Sequence, residues 1–291
     1  MVPSESVEPW FQEQSNWVLD FHGDPVKGEL VVFSDGNHHM ALCDAIKAFL
    51  LDHPEIRDVF YATTPPGPIV SILRRGAIRL GNLTISLCPH IFMGPPDVLD
   101  RLQAEGLLRA HQLLARNQGS VLLIAIGNPK QIRTVNDLMR DDVRLFISNP
   151  ETETVSYEGY RRTLEGAAAG RGINPVVFNR AVFGETMVRG QRIHHREAPE
   201  ALARGRADAA IVYFHLALRY TRIFPDLFDF IPLGGTKEQP QPYAGNRIGK
   251  IHMGIVGDGG RWGRRFSEFM LGRAAADAYA AHGLCHALDI K

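Results

Sequence analysis

Two strand–turn–helix units follow one another near the start of the chain, and this repetition constrains the fold more than any other feature. In "GELVVFSDGNHHMALCDAIKAFL" an apolar run (30–33) breaks at a polar turn and gives way to apolar residues at helical spacing. In "DVFYATTPPGPIVSILRRG" a second apolar run (58–63) leads through a turn into a helix that stops at Gly76. Consecutive units of this kind predict βαβ connections on a parallel sheet.

The same alternation continues along the chain and predicts an α/β protein throughout. Residues 97–117 predict a helix with a break at Gly106, and "GSVLLIAIGNP" predicts the most apolar strand. The stretch "VRLFISNPETETVSYEGYRRTLEG" predicts a strand, a long polar loop and a helix. In "IHHREAPEALARG" we expect the helix to be capped by Glu197 or Ala198, with Pro199 at its first position.

The order of these elements indicates two α/β lobes, each with a mostly parallel sheet flanked by helices. Segments 119–127 and 248–257 are expected to act as hinge strands that cross between the lobes. The predicted division is an N-terminal extension (1–27), a first lobe (28–118 plus 248–291) and a second lobe (119–247).

Composition excludes several classes of function. Lys plus Arg and Asp plus Glu both total 32, so the chain lacks the basic excess of a nucleic-acid binder. No apolar run approaches the ~20 residues of a membrane span, so we expect no membrane insertion. The chain has no G-x-S-x-G elbow, Walker loop, HExxH motif or complete dinucleotide fingerprint, which predicts that it is not an enzyme and needs no organic cofactor.

The start of the chain bears on location. It lacks the basic residues and continuous apolar core of a secretory leader. We therefore expect a cytoplasmic protein if the chain is complete, and a periplasmic or extracellular one if a leader was removed.

The two N-terminal turns are the first candidate ligand site. In parallel sheets, ligands bind at the carboxyl ends of the strands, where helix N-termini offer free N–H groups. The hydroxyl and N–H groups of these turns suit an oxyanion, although the threonines could simply cap a helix and Gly36 could serve the backbone alone. The candidate residues are Ser34, Gly36, Asn37, Thr63, Thr64 and Gly67.

In the second lobe, the polar loop and the "HHRE" cluster supply the candidates. Arg196 could clamp a carboxylate or an oxyanion with two hydrogen bonds, or it could anchor the start of its helix by pairing with Glu197. Tyr213 ends the strand "AAIVY" and could either reach a ligand or pack on a helix. The candidate residues are Ser156, Tyr157, His195, Arg196, Glu197 and Tyr213.

A metal site is the alternative. His38, His39, His194 and His195 form two pairs, one from each lobe, and Zn²⁺ takes three or four ligands of this kind. Sequence spacing does not decide between an anion and a metal ion.

The order of motifs resembles the type II periplasmic-binding-protein superfamily, in particular the molybdate/tungstate-type solute-binding proteins of ABC importers. The resemblance spans roughly residues 28–286 and rests on "ELVVFSDGN", "FYATTPPG", "SNPETETVSYEGYRRTL" and "HHREAPEALARGRADAAIVY". It implies a two-lobed protein that closes by hinge motion on a small anion, with an ABC importer permease as its partner. Tyr213 resembles the tyrosine that reaches the oxyanion in molybdate binders. A cytosolic ligand sensor of the same fold remains an alternative.

Overall fold

A computed structural model describes residues 20–64, 66–80, 83–191 and 193–290. The strands are β1 (Phe21–His22), β2 (Leu30–Ser34), β3 (Val59–Thr63), β4 (Ala77–Leu80), β5 (Leu83–Ser86), β6 (Ile91–Gly94), β7 (Leu108–Arg116), β8 (Ser120–Ala125), β9 (Leu145–Ile147), β10 (Val188–Arg189), β11 (Ala209–Tyr213), β12 (Phe228–Pro232), β13 (Lys250–Val256) and β14 (Cys285–His286). The α-helices are α1 (His39–Asp52), α2 (Pro66–Arg75), α3 (Pro96–Ala104), α4 (Thr154–Ala169), α5 (Pro175–Val182), α6 (His194–Ala203), α7 (Phe214–Ile223), α8 (Gly260–Met270) and α9 (Arg273–Ala281). Short 3₁₀ helices lie at Gly36–His38, Val135–Met139 and Ala287–Asp289.

These elements form two compact units. Among the described residues, the first unit contains those from 20 to 116, together with Lys250–Ala281 and residues 285–290. The second unit contains Asn117–Gly249 and His282–Leu284. The second unit is thus an insertion into the first, and the short return at 282–284 has no counterpart in the predicted division.

The main sheet of the first unit has the order β1-β3-β2-β6-β13-β7-β14. Strand β2 lies between β3 and β6 and runs parallel to both, whereas β13 runs antiparallel to β6 and β7. Strand β1 pairs antiparallel with β3, so residues 21–22 of the predicted N-terminal extension belong to this sheet. Residues 1–19 of that extension lie outside the described residues.

Strand β2 is buried along its whole length because helices cover both faces of the sheet. Its alternate residues Val31 and Phe33 belong to a core cluster that also contains Ile69 from α2 and Leu99 from α3. On α1, Phe49 packs edge-to-face on Phe266 of α8, with the ring centroids 5.0 Å apart.

The sheet of the second unit has the order β10-β9-β11-β8-β12. Strand β9 runs parallel to β10 and β11, and β8 runs antiparallel to β11 and β12. Along β8, Leu122 and Ile124 enter one core cluster while Val121 and Leu123 enter another. A strand that is buried on both faces explains why "SVLLIA" is so uniformly apolar.

The predicted α/β class is confirmed, but the sheets are mixed rather than mostly parallel. Each sheet takes in strands that run against its parallel portion: β1, β13 and β14 in the first unit and β8 in the second. The period of an apolar run indicates a strand but not its direction, so the sequence pattern carried no sign of these reversals.

The helix predicted over 97–117 is wrong in its second half. Helix α3 ends at Ala104, Gly106 adopts a positive φ of 76°, and the following residues form β7. Leu, Ala, Gln and Arg favour helices in isolation, but β7 pairs along nearly all its length with β13. Tertiary pairing therefore overrides the local preference.

The start of α6 also differs from the prediction. The helix begins at His194, so Pro199 lies inside it rather than at its first position. Proline lacks an N–H group and cannot donate to the carbonyl of His195 four residues earlier. The hydroxyl of Tyr220 on α7 donates to that carbonyl instead, and this replacement stabilises an early helix start.

Candidate functional site

In the first unit, β2 and β3 end side by side. Ser34 pairs in register with Thr63, and the Thr64 N–H donates to the Ser34 carbonyl oxygen at 3.2 Å. Gly36 follows immediately, and a Cβ atom at this position would lie 3.4 Å from the Thr63 carbonyl oxygen. The two predicted turns therefore meet at one edge of the sheet, as expected for parallel neighbours.

The side chains of Thr63 and Thr64 are the most unusual feature of this edge. Each threonine is only 1% exposed. Among the residues that the structure describes, neither hydroxyl oxygen has a hydrogen-bond partner. Buried hydroxyls are nearly always paired in native proteins, so two adjacent unpaired ones indicate a missing partner.

Helices begin at both turns. The Asp35 carboxylate accepts the Asn37 N–H at 3.3 Å and caps a 3₁₀ turn that runs directly into α1. Helix α2 begins beside the other turn, with Gly67 exposed in its first turn. Helix N-termini carry partial positive charge and favour anions, which makes the edge attractive to negative groups.

Behind the first turn lies a buried polar network. The Ser34 hydroxyl donates to the Asp35 carbonyl oxygen (3.0 Å), so Ser34 Oγ must accept from His38 Nε2 (2.9 Å). In a neutral His38 ring, Nδ1 then accepts the hydroxyl of Tyr279 at 2.8 Å. Burial raises the pKa of the neighbouring Asp35 carboxyl to about 7. The Ser34 proton and both ring nitrogens of His38 are thus used inside the protein.

The second unit has a comparable edge. Strands β10, β9 and β11 are parallel, so Gly190, Ser148 and Tyr213 lie at their common carboxyl end. Ser148 is fully buried, and its hydroxyl has no partner among the described residues. The Asn149 side-chain amide donates to the Gly190 carbonyl at 3.2 Å and ties two of these strand ends together.

Two carboxylates occupy the start of α6. Glu153 accepts the His194 N–H at 3.0 Å, and Glu197 accepts the Gln191 N–H at 2.7 Å. Burial is the main cause that raises the pKa of Glu153 to about 7, and the nearby charge of Glu197 contributes. The N–H groups that an external anion would use are here partly satisfied by the protein's own acids.

His194 packs among aromatic rings beneath this edge. Its ring centroid lies 4.8 Å from that of Tyr160 and 5.5 Å from that of Phe146. Burial lowers the pKa of His194 to about 3, so the ring is neutral near pH 7. The ring centroid of Tyr213 lies 5.3 Å from that of Tyr160, with the two ring planes tilted by 48°, and the Tyr213 ring is nearly parallel to that of His215.

Over residues 88–284 the sequence matches the family described as bacterial extracellular solute-binding protein, and this span is more than half of the chain. The chain belongs to this family. Among curated proteins, none matches the sequence. In the described part of this solute-binding protein, no helix is both long enough and apolar enough for a bilayer crossing.

Solved structures of binding proteins share the fold at low sequence identity. PEB3 of Campylobacter jejuni, with L-phospholactate bound, is 14% identical with a TM-score of 0.63, over 88% of this chain and 99% of that one. The sulfate-binding protein SubI of Mycobacterium tuberculosis is 16% identical (TM-score 0.61, 88% and 85%). The periplasmic molybdate-binding protein of Azotobacter vinelandii is 15% identical (TM-score 0.57, 88% and 98%). The resemblance to type II periplasmic binding proteins is thereby confirmed at the level of the fold.

The structure of this solute-binding protein gathers the predicted residues into two groups. In the first unit, Ser34, Gly36, Asn37, Thr63 and Thr64 lie at the β2–β3 edge, and Gly67 lies in the first turn of α2. In the second unit, Ser156 and Tyr157 belong to the start of α4 rather than to a loop. His195, Arg196 and Glu197 form the first turn of α6, and Tyr213 precedes α7.

The predicted histidine pairs are placed less favourably for a metal ion. His38 is engaged through both nitrogens, and His39 Nδ1 lies 3.0 Å from the Gly36 carbonyl oxygen. Within the described ranges, no group of three or more His, Cys, Asp or Glu side chains is arranged to hold one metal ion.

Sequence reasoning did not select three residues that the structure places at these edges. The roles of Asp35 and Glu153 depend on their burial, which the sequence pattern does not show. Ser148 lies in the polar stretch from which Ser156 and Tyr157 were predicted instead. Its position directly after a buried strand was the signal that could have identified it.

Proposed function

We propose that this solute-binding protein holds a small anion, either an oxyanion or a small carboxylate, at the turns that follow β2 and β3. The observation that carries the proposal is the pair of buried, unpartnered hydroxyls of Thr63 and Thr64. Leaving a buried hydroxyl unsatisfied costs about 1–3 kcal/mol. A ligand oxygen that accepts from both hydroxyls removes this cost, and its charge strengthens the hydrogen bonds.

The surroundings of this pair support an anion. The N-termini of α1 and α2 both begin at these turns, and each adds a favourable dipole. Some of the similar structures support this choice, since their names give L-phospholactate, sulfate and molybdate as ligands, whereas others are iron-binding proteins. At 14–16% identity these names guide the choice of compounds to test, and the ligand of this chain is a separate question.

The second unit offers its own candidate contacts at the corresponding strand edge. Arg196 is exposed in the first turn of α6, where its guanidinium could bind a carboxylate or an oxyanion with two hydrogen bonds. Around it lie the further candidates Ser156, Tyr157, His195, Glu197 and Tyr213.

The cellular role we propose is uptake of this anion, with the protein in the periplasm or outside the cell and an ABC importer permease as its partner. Membership of an extracellular solute-binding family supports this role. Among type II proteins, the resemblance to molybdate/tungstate-type binders favours oxyanions as the first compounds to test.

A melting screen tests the proposal. The full chain is heated with molybdate, tungstate, sulfate, phosphate, phospholactate or small carboxylates, and in parallel with Zn²⁺ and other divalent metal ions. A ligand at 100 times its Kd raises stability by ~2.7 kcal/mol, so the correct anion should raise the melting temperature clearly. A rise with Zn²⁺ alone that EDTA reverses would replace the anion proposal with the metal alternative.

In the same screen, Arg196→Ala tests whether the second unit contributes to anion binding. The substitution lies on an exposed helix start, and the melting temperature of the free variant is the reference for its anion response. If Arg196 contacts the anion, the variant needs a higher anion concentration for the same rise. An unchanged anion response removes Arg196 from the candidates and leaves the β2–β3 edge as the site to pursue.

A further inference from the structure

A second group of polar side chains lies elsewhere in the first unit, on strands β7 and β13. The Nδ1 atoms of His111 and His252 are 2.9 Å apart, and their ring centroids are 5.0 Å apart. Gly254 pairs with His111 across the two strands, and a Cβ atom at Gly254 would lie 3.2 Å from the His111 Cβ. The missing side chain leaves room for the two rings to meet.

The hydrogen bonds fix where the protons lie. The Asp100 carboxylate on α3 is 3.0 Å from His111 Nε2, so this nitrogen must carry a proton and donate it. A neutral His111 then has a lone pair on Nδ1, which accepts the Nδ1–H of His252. One proton therefore lies between the Nδ1 atoms of His111 and His252.

We propose that His111 and His252 form a chelating pair for a divalent transition-metal ion with tetragonal preference, such as Cu²⁺ or Ni²⁺, which replaces the hydrogen bond between the two Nδ1 atoms while the proton of His252 moves to its Nε2 atom. Two imidazole nitrogens bound at about 2.0 Å in adjacent square positions are about 2.8 Å apart, whereas tetrahedral positions separate them by about 3.3 Å. The present separation of 2.9 Å is that of an N–H···N hydrogen bond, and it already holds the two nitrogens close to the span that adjacent square positions require. Imidazole ligands in that geometry are characteristic of Cu²⁺ and Ni²⁺.

The surroundings prepare the pair for a metal ion. A carboxylate that accepts from the remote nitrogen of a metal-binding histidine orients the ring and increases its basicity, and Asp100 holds this position toward His111.

The pair is distinct from the histidines that the sequence pattern suggested as metal ligands. His38 is buried in its own network, whereas His111 and His252 are both partly exposed. Because these two histidines are the protein ligands, water must fill the remaining coordination positions. The site is therefore expected to bind more weakly than a closed structural zinc centre.

The test is a Cu²⁺ titration of the full, metal-stripped chain, followed by calorimetry and electron paramagnetic resonance. The expected result is a site with two nitrogen ligands in a tetragonal field. His111→Ala and His252→Ala should each abolish that signal, and Asp100→Asn should weaken affinity by about 10–100-fold because it removes the orienting charge. His282→Ala is the matched control and should leave the titration unchanged.

Two outcomes would overturn the proposal. The first is a wild-type chain that binds no Cu²⁺, and the second is a two-nitrogen signal that persists in both His111→Ala and His252→Ala. Asp100→Asn changes an exposed helix residue, so it reports on the site even if a histidine variant fails to fold.

Discussion

The two units present the same architectural position, with a buried hydroxyl in each that is unpartnered within the described part of the chain, but they surround it with different polar groups. In both, parallel strands end where helices begin, at Thr63 and Thr64 in the first unit and at Ser148 and Tyr213 in the second. At the first edge, two buried hydroxyls have no partner among the described residues. At the second edge, the carboxylate of Glu153 already accepts the His194 N–H.

This difference teaches that strand ends and helix starts alone do not make an anion site. Glu153 and Glu197 satisfy donors at the start of α6 and, when ionised, repel a second negative group. Burial raises the pKa of Asp35 at the first edge and of Glu153 at the second edge to about 7, so both are partly protonated near neutral pH, and Glu197 is a further acid at the second edge. The first edge is therefore the better place for an anionic ligand to find free donors.

The largest expected effect comes from removing the two hydroxyls. Thr63→Val and Thr64→Val keep the side-chain shape, and each should weaken anion binding by about 10- to 100-fold because hydrogen bonds to charged groups contribute about 1.5–3 kcal/mol. The free protein should lose no stability, since the hydroxyls have no partner to lose. Calorimetric titration and melting curves measure the two quantities. Thr221→Val, which removes a hydroxyl bonded within α7, is the control and should bind the anion normally.

The next effect concerns Asp35 and depends on pH. Its folded-state pKa of about 7 lies above the ordinary value of 3.8, so ionisation of Asp35 lowers the stability of the folded protein. The cost is absent below about pH 4, grows as the pH rises toward 7 and is complete above that. Asp35→Asn keeps an oxygen for the Asn37 N–H and should stabilise the protein at pH 8 by about 2–4 kcal/mol, relative to its effect at pH 4. An equal effect at both pH values in denaturant titrations would mean that Asp35 is not penalised by burial.

His194 should show the opposite pH dependence. Burial lowers its folded-state pKa from 6.5 to about 3, so stability is present above about pH 6.5 and is lost as the pH falls toward 3. His194→Leu removes the ionisable group while keeping an apolar side chain beside Tyr160. Between pH 8 and pH 5, the variant should lose about 1–2 kcal/mol less stability than the wild type. Parallel pH profiles for the two proteins would contradict the burial of a neutral ring.

The smallest expected effect tests whether the Tyr220 hydroxyl stabilises the start of α6. Tyr220→Phe removes the donor to the His195 carbonyl and should cost about 1 kcal/mol of stability. Pro199→Ala supplies a backbone N–H that can donate to the same carbonyl. In a double-mutant cycle, Tyr220→Phe should therefore cost less in the Pro199→Ala background. Additive costs would show that the hydroxyl does not replace the missing helical bond.

Much of the fold and one part of the candidate site follow from the sequence. The runs that form β2, β3 and β8 are apolar because both faces of each sheet are covered. A continuous apolar run of this kind identifies a buried strand from the sequence alone. The meeting of Ser34 with Thr63 followed from two consecutive βα units, because parallel neighbours bring their turns together.

The remaining features depend on contacts that sequence patterns do not contain. Strand β7 has the composition of a helix and is held extended by its pairing with β13. Helix α6 starts before Pro199 because a tyrosine 25 residues away supplies a hydrogen bond. The roles of Asp35 and Glu153 depend on burial, which raises their pKa values, and the burial of a turn residue is a property of the packed structure.

A crystal structure with the anion that gives the largest rise in melting temperature tests the central claim most directly, and tungstate or molybdate would add an anomalous signal to locate the ion. Our account places the anion within hydrogen-bond distance of the hydroxyls of both Thr63 and Thr64. An anion bound elsewhere, with both hydroxyls still unpartnered, would contradict it.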